Sequence, residues 1–169
     1  MILKRFGLLF ILAILMASRG RSKKSTISAK KPGISTAAEP KNHKAYKIVA
    51  NAQKFEGTPY KYGGTTKKGM DCSGLVYVSF LEEDIPLPRT SRDLSLQGKR
   101  LFLKEVTIGD LLFFETDKNR KVINHVGLVV DVLQDQILFI HSSTSRGVII
   151  SSLSENYWQQ AFVMARRLL

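Results

Sequence analysis

The feature that most limits the fold is a change of period at Gly109. Before it, apolar residues recur at helical spacing. Ile48, Val49 and Ala52 with Phe55 mark one helix over 46–55, closed by Gly57 and Pro59. Leu75, Val76, Ser79, Phe80 and Glu83 mark a second, starting near Cys72 with Asp71 as its N-cap and Pro86 and Pro88 beyond its end. The intervening 60–70 reads as a turn-rich loop, and 86–100 as a polar connection followed by a helical turn. After Gly109 the chain breaks into short apolar runs at 111–116, 125–132, 136–142, 147–153 and 162–168. Runs of that length at such close spacing are antiparallel strands. Helices first and strands second is the α+β pattern, here N-terminal helices packed on a C-terminal antiparallel β-sheet.

Charge separates the folded part from what precedes it. The net charge of +12 would suggest a nucleic-acid partner, but eleven of the 26 Lys and Arg lie in residues 1–48, where Glu39 is the sole acid. The remainder is close to balanced and shows no clustered basic motif, so no nucleic-acid partner is expected. Residues 1–20 have Lys4 and Arg5, an apolar run over 6–16, then Ala17, Ser18 and Gly20. That is the order of a secretory signal peptide. An uncleaved anchor is the rival reading, although the run is short for a bilayer span, which takes about 20 residues. No cysteine follows the run, so lipidation there is not expected. Residues 21–45 are rich in Lys, Ser, Thr, Ala and Pro and read as a basic disordered linker. It is either simply solvated or in weak contact with an anionic polymer or membrane surface. His43 within it reads as an exposed bystander. These readings give an exported protein, in the periplasm or cell envelope or secreted, with one folded domain over 46–169 that acts as a monomer.

Cys72 is the only cysteine, so no intrachain disulfide can form. A thiol attacks as the thiolate, and the free N–H groups and dipole of a helix N-terminus favour that anion. The same N–H groups suit the oxyanion of a tetrahedral intermediate. Gly74 leaves an approaching substrate uncrowded. A buried structural cysteine is the plainer alternative, and the histidines bear on the choice. A cysteine hydrolase needs a base beside the thiol and a group that orients the base. The folded part has two histidines: His125 opens one strand and His141 closes the next. In a hairpin they meet at one end of the sheet. A two-residue loop at 134–135 would put the rings on opposite faces, so their convergence requires an odd-length loop or a bulge. Two histidines and one cysteine without close ligand spacing make a poor zinc site, and no phosphate-binding glycine loop is present, so neither metal nor cofactor is expected.

Six short motifs then fall in order: Tyr60-Lys61-Tyr62-Gly63-Gly64, Asp71-Cys72-Ser73-Gly74, Leu87-Pro88-Arg89-Thr90-Ser91, Gly109-Asp110-Leu111-Leu112-Phe113-Phe114, His125-Val126-Gly127 and His141-Ser142-Ser143. The set resembles the NlpC-type family of bacterial cell-wall cysteine peptidases over about residues 46–169. Ser145 to Ser152, Tyr157-Trp158 and Ala165-Arg166-Arg167 resemble the Spr-like murein endopeptidases within it. The resemblance implies a papain-like fold and hydrolysis of amide bonds in peptidoglycan stem peptides or crosslinks. Cys72 would be the nucleophile, His125 the base and His141 the orienting group. Tyr60 matches the family's tyrosine near the oxyanion site, Asp71 and Ser73 match cleft positions, and Arg89 serves either structure or substrate carboxylates. Both a D-alanyl-diaminopimelate crosslink and a γ-D-glutamyl-diamino acid bond are open, with the Spr-like features leaning to the crosslink. Two other functions fit the same residues: an inactive peptidoglycan-binding module, or another thiol enzyme on this fold.

Overall fold

The computed structural model describes residues 39–134 and 136–169, with side chains from His43 onward. The signal-peptide reading of 1–20 and most of the linker reading lie outside them. Helix α1 (Glu39–Gln53) begins seven residues before the expected 46, inside the stretch read as linker. Pro40 sits in its first turn, where a missing N–H costs nothing, and Ala45 already faces the core. Charged Lys41 and Lys44 hid that start from a purely apolar period. Helix α2 (Cys72–Leu81) begins at Cys72 as expected. A four-residue helix α3 (Ser91–Leu94) follows, capped by Thr90, whose side chain accepts from Asp93 N. No helix among the described residues is long and apolar enough to cross a membrane.

The sheet has six antiparallel strands: β3 (Lys99–Leu101), β4 (Leu111–Phe114), β5 (His125–Leu133), β6 (Gln136–Ser143), β7 (Gly147–Ser152) and β8 (Phe162–Arg167). Their spatial order is β3-β8-β4-β5-β6-β7. All five expected strands are present within two residues at either end. The sixth, β3, is Lys-Arg-Leu, an edge strand with one buried residue, too polar to stand out. The loop before Cys72 holds a two-stranded ribbon, β1 (Thr65–Thr66) and β2 (Gly69–Met70). Helix α4 (Asn156–Ala161) lies between β7 and β8.

The apolar pattern of β4 explains the layering. Leu111 and Phe113 face a core shared with Ile48, Val49, Leu75, Val76 and Phe80 of α1 and α2. Leu112 and Phe114 face a second core with Phe139, Trp158, Ala161 and Ala165. Both faces of the strand are covered, which is why it reads as an unbroken apolar run. Helices α1 and α2 therefore cover one face of the sheet and α4 covers part of the other.

The β5–β6 pairing fixes the histidines. Leu133 pairs with Gln136, leaving two residues between the strands, but the register shifts between Val129 and Asp131. That bulge supplies the extra residue the even connection lacks. Continuing past Leu128↔Ile140, His141 falls opposite Gly127 and diagonal to His125 on the same face. Of the two devices that bring the rings together, the chain uses the bulge.

Candidate active site

Cys72 is the first residue of α2, and its surroundings are built from the loop before it. Asp71 is the N-cap: its Oδ1 accepts from Gly74 N at 2.7 Å and its Oδ2 from Gly63 N at 2.7 Å. Arg89 Nη1 donates to Asp71 Oδ1 at 2.9 Å and to Ser73 Oγ at 2.8 Å, and Nη2 donates to Gly64 O at 3.0 Å. Ser73 Oγ in turn donates to Arg89 O at 2.8 Å. Asp71, Ser73 and Arg89 are thus one network holding the loop to the helix start. Gly74 serves it too. A Cβ there would collide with Gly64 O, Arg89 Nη2 and Asp71 Oδ1. The glycine is required by close packing of the loop, not by an open path for substrate. Tyr60, Asp71, Cys72, Ser73 and Arg89 line a cleft of about 470 Å³, with Arg92 and Asn124 on its rim.

The thiol is not in the favourable field that its place in the helix suggests. Burial pushes its pKa up to about 11, and Asp71 adds to the rise. Backbone hydrogen bonds from Val126, Ser73 and Cys72 itself work the other way without overcoming it. Withdrawing the charged thiolate from water costs more than one helix terminus returns. Burial and the charges of Cys72 and Asp71 also raise the Tyr60 phenol, which places that ring near the sulfur.

His125 follows directly from the Val126 contact, being the residue before the one whose backbone meets the thiol. Its ring lies on the second core's side, stacked on Trp158 (centroids 5.3 Å apart, planes at 22°) and tilted against Phe114. His125 Nε2 is 3.0 Å from His141 Nδ1. That leaves Nδ1 as the His125 nitrogen available to a thiol proton. His141 is fully buried between Phe139 and Trp158. Its Nε2 is 3.1 Å from Ser151 Oγ. Burial lowers His125 to about 4; burial, His125 and Arg146 together lower His141 to about 3. At neutral pH the site therefore rests as thiol and neutral imidazoles. His125 also opens on a second hollow of about 290 Å³, lined with Ser143, Arg146, Glu155, Tyr157 and Trp158. A larger cavity of about 530 Å³, lined by Leu103, Val132, Leu133, Ile137 and Phe162, contains none of these groups.

Residues 57–167 match the NlpC/P60 family. The chain belongs to the NlpC/P60 family. It is 36% identical to the probable endopeptidase NlpC of Escherichia coli (strain K12) over 97% of this chain and 99% of that protein. It is 38% identical to the murein DD-endopeptidase MepS/murein LD-carboxypeptidase of the same strain over 73% of this chain, spanning 62% of that protein. Among solved structures, an NlpC/P60 family protein from Bacillus cereus ATCC 10987 superposes with a TM-score of 0.66 at 29% identity, covering 74% of this chain and 40% of that one. The α+β fold expected from the sequence is the NlpC/P60 fold.

Sequence reasoning missed two residues of this candidate site. Trp158 touches both histidine rings, and as the single tryptophan it was visible, but only as part of a family-like stretch. Ser151 carried no signal, since it is one of several serines around β7.

Proposed function

We propose that this chain is a cysteine peptidase that hydrolyses amide bonds of peptidoglycan in the cell envelope, with Cys72 as nucleophile, His125 as general base and His141 as the group that orients it. The observation carrying the reading is the hydrogen-bonded pair His125–His141 on a strand whose next residue, Val126, meets the thiol of Cys72 through its backbone at a helix start. His125 Nδ1 takes the Cys72 proton as the sulfur attacks the scissile carbonyl carbon. The developing oxyanion faces the N–H groups at the start of α2, which have no intrahelical partner. The His125 imidazolium then protonates the leaving amine. Water, deprotonated by the same nitrogen, hydrolyses the thioester. Tyr60, Asp71 and Ser73 line the cleft where the substrate enters; Arg89 keeps its walls in place through Asp71 and Gly64. Residues 1–20 would direct export and the basic stretch 21–45 would lie between that signal and the 46–169 catalytic domain. Weak contact of this stretch with anionic wall polymer or membrane surface belongs to the same proposal.

The bond favoured is the D-alanyl crosslink. The name of one relative, MepS, specifies a DD-endopeptidase, while another, the muramidase CwlT of Bacillus subtilis (strain 168), carries a DL-endopeptidase activity in its name. Digestion of purified peptidoglycan followed by mass analysis tests this. Release of monomers from crosslinked dimers, lost in Cys72→Ala, is expected. Cleavage only between glutamyl and diamino acid residues would move the assignment to the other bond. Binding without cleavage would make the chain a wall-binding module.

A further inference from the structure

His141 is sealed in the second core, and its outer nitrogen ends on Ser151, a buried serine of β7 that the mechanism above does not use. The relay His125 Nε2···His141 Nδ1, His141 Nε2···Ser151 Oγ can run in two directions, since each neutral imidazole carries one N–H. If Ser151 donates, His141 carries its proton on Nδ1 and gives it to His125 Nε2. His125 then holds its own proton on Nδ1, the nitrogen that must accept from the thiol, and the base is blocked. If Ser151 accepts, His141 carries its proton on Nε2 and its Nδ1 accepts from His125 Nε2–H. The His125 Nδ1 lone pair is then free. After transfer the count still balances: the proton leaves Cys72 Sγ for His125 Nδ1, and the imidazolium keeps its Nε2–H on His141 Nδ1. Both the resting and the transferred states need the second direction.

We propose that Ser151 is a positioning residue that accepts a hydrogen bond from His141 Nε2–H and so fixes the tautomers of both histidines. Resting on the peptidase reading only for its consequence in turnover, the assignment itself concerns the buried relay. Burial and the neighbouring charge of Arg146 keep His141 neutral, so the thiol proton stops at His125 and the relay orients it without carrying it further. Phe139 and Trp158 pack against the His141 ring, with centroids 5.1 and 4.6 Å away, and hold it in this chain of contacts.

The test begins with the unsubstituted protein. Ring-nitrogen shifts of the two histidines at pH 7, by ¹⁵N-correlated NMR, should show both as Nε2–H tautomers. An Nδ1–H tautomer at His141 overturns the assignment whether or not the protein cleaves anything. Ser151→Ala should keep the melting behaviour of a folded protein, shift His141 away from the pure Nε2–H signature and lower kcat by about 10–100-fold with KM little changed, the scale set by loss of the partner that orients a metal-binding histidine. Ser151→Thr, which keeps the hydroxyl, should restore both the signature and most of kcat. Wild-type kcat and unchanged tautomers in Ser151→Ala would also overturn it. If neither wild type nor variant turns over peptidoglycan, the function reading fails while the NMR result still decides the role of Ser151.

Discussion

Cys72 rests protonated in a half-buried position, with its thiol at about 11 and His125 at about 4. Two expectations follow at this scale. Cys72→Ala and His125→Ala should each abolish peptidoglycan cleavage while circular dichroism and melting remain those of a folded domain; near wild-type rate in either sinks the mechanism. Second, because the thiolate is the nucleophile, alkylation of Cys72 by iodoacetamide should climb about tenfold per pH unit from 7 to 10. A rate already level near pH 7 would mean a preformed thiolate–imidazolium pair instead. Cys72, His125 and His141 stand out in the sequence as candidates because cysteine and histidine are scarce in this chain. The state of the thiol was not. A helix start is visible in sequence, whereas the depth at which the core buries it is set by Val126 and the strands behind.

Elements place these residues, and two small backbone features decide the placement. The bulge in β5 puts His125 and His141 on one face, and the sequence showed that some such device was needed without showing where. The loop 60–70, turn-rich in sequence, is tied to the start of α2 by Arg89, which reaches both the carbonyl of Gly64 and Asp71. Such side chain–backbone links leave no periodic trace. Gly74 is the tightest point of that contact. Gly74→Ala drives a methyl group into Gly64 O and the Arg89 guanidinium, a clash with backbone that cannot swing aside. Overpacking of this kind costs about 1–3 kcal/mol, so chemical denaturation should show a lower midpoint with an unchanged slope. Activity should fall as well, because the same shift moves Asp71 off the end of α2. A stable and fully active Gly74→Ala protein would show the loop to be looser than these contacts imply.

The molecule as a whole is closed by its last strand. Arg167 on β8 makes a bidentate pair with Asp110, Nε to Oδ1 at 2.8 Å and Nη2 to Oδ2 at 2.7 Å, and also reaches Glu105 O. Asp110 is almost wholly buried beside the start of β4. Asp110→Ala should therefore destabilise the domain by about 3 kcal/mol, since it strands the arginine without its partner. The same global stability depends on pH through the histidine pair, at the other end of the sheet. Both histidines have folded-state values below the 6.5 of an ordinary imidazole, at about 4 and about 3, chiefly through burial. As pH falls below 6.5 the unfolded chain takes up protons that the folded chain refuses. Stability is therefore complete above that value and drains away down to about pH 3, where both states are protonated. At about 1.4 kcal/mol per unit, His125 alone contributes up to about 3 kcal/mol of this loss. Melting temperature should accordingly drop between pH 7 and 4, and His141→Gln should flatten the drop by removing the group with the lower value. An equally steep decline in that variant would assign the acid sensitivity to groups other than the histidine pair.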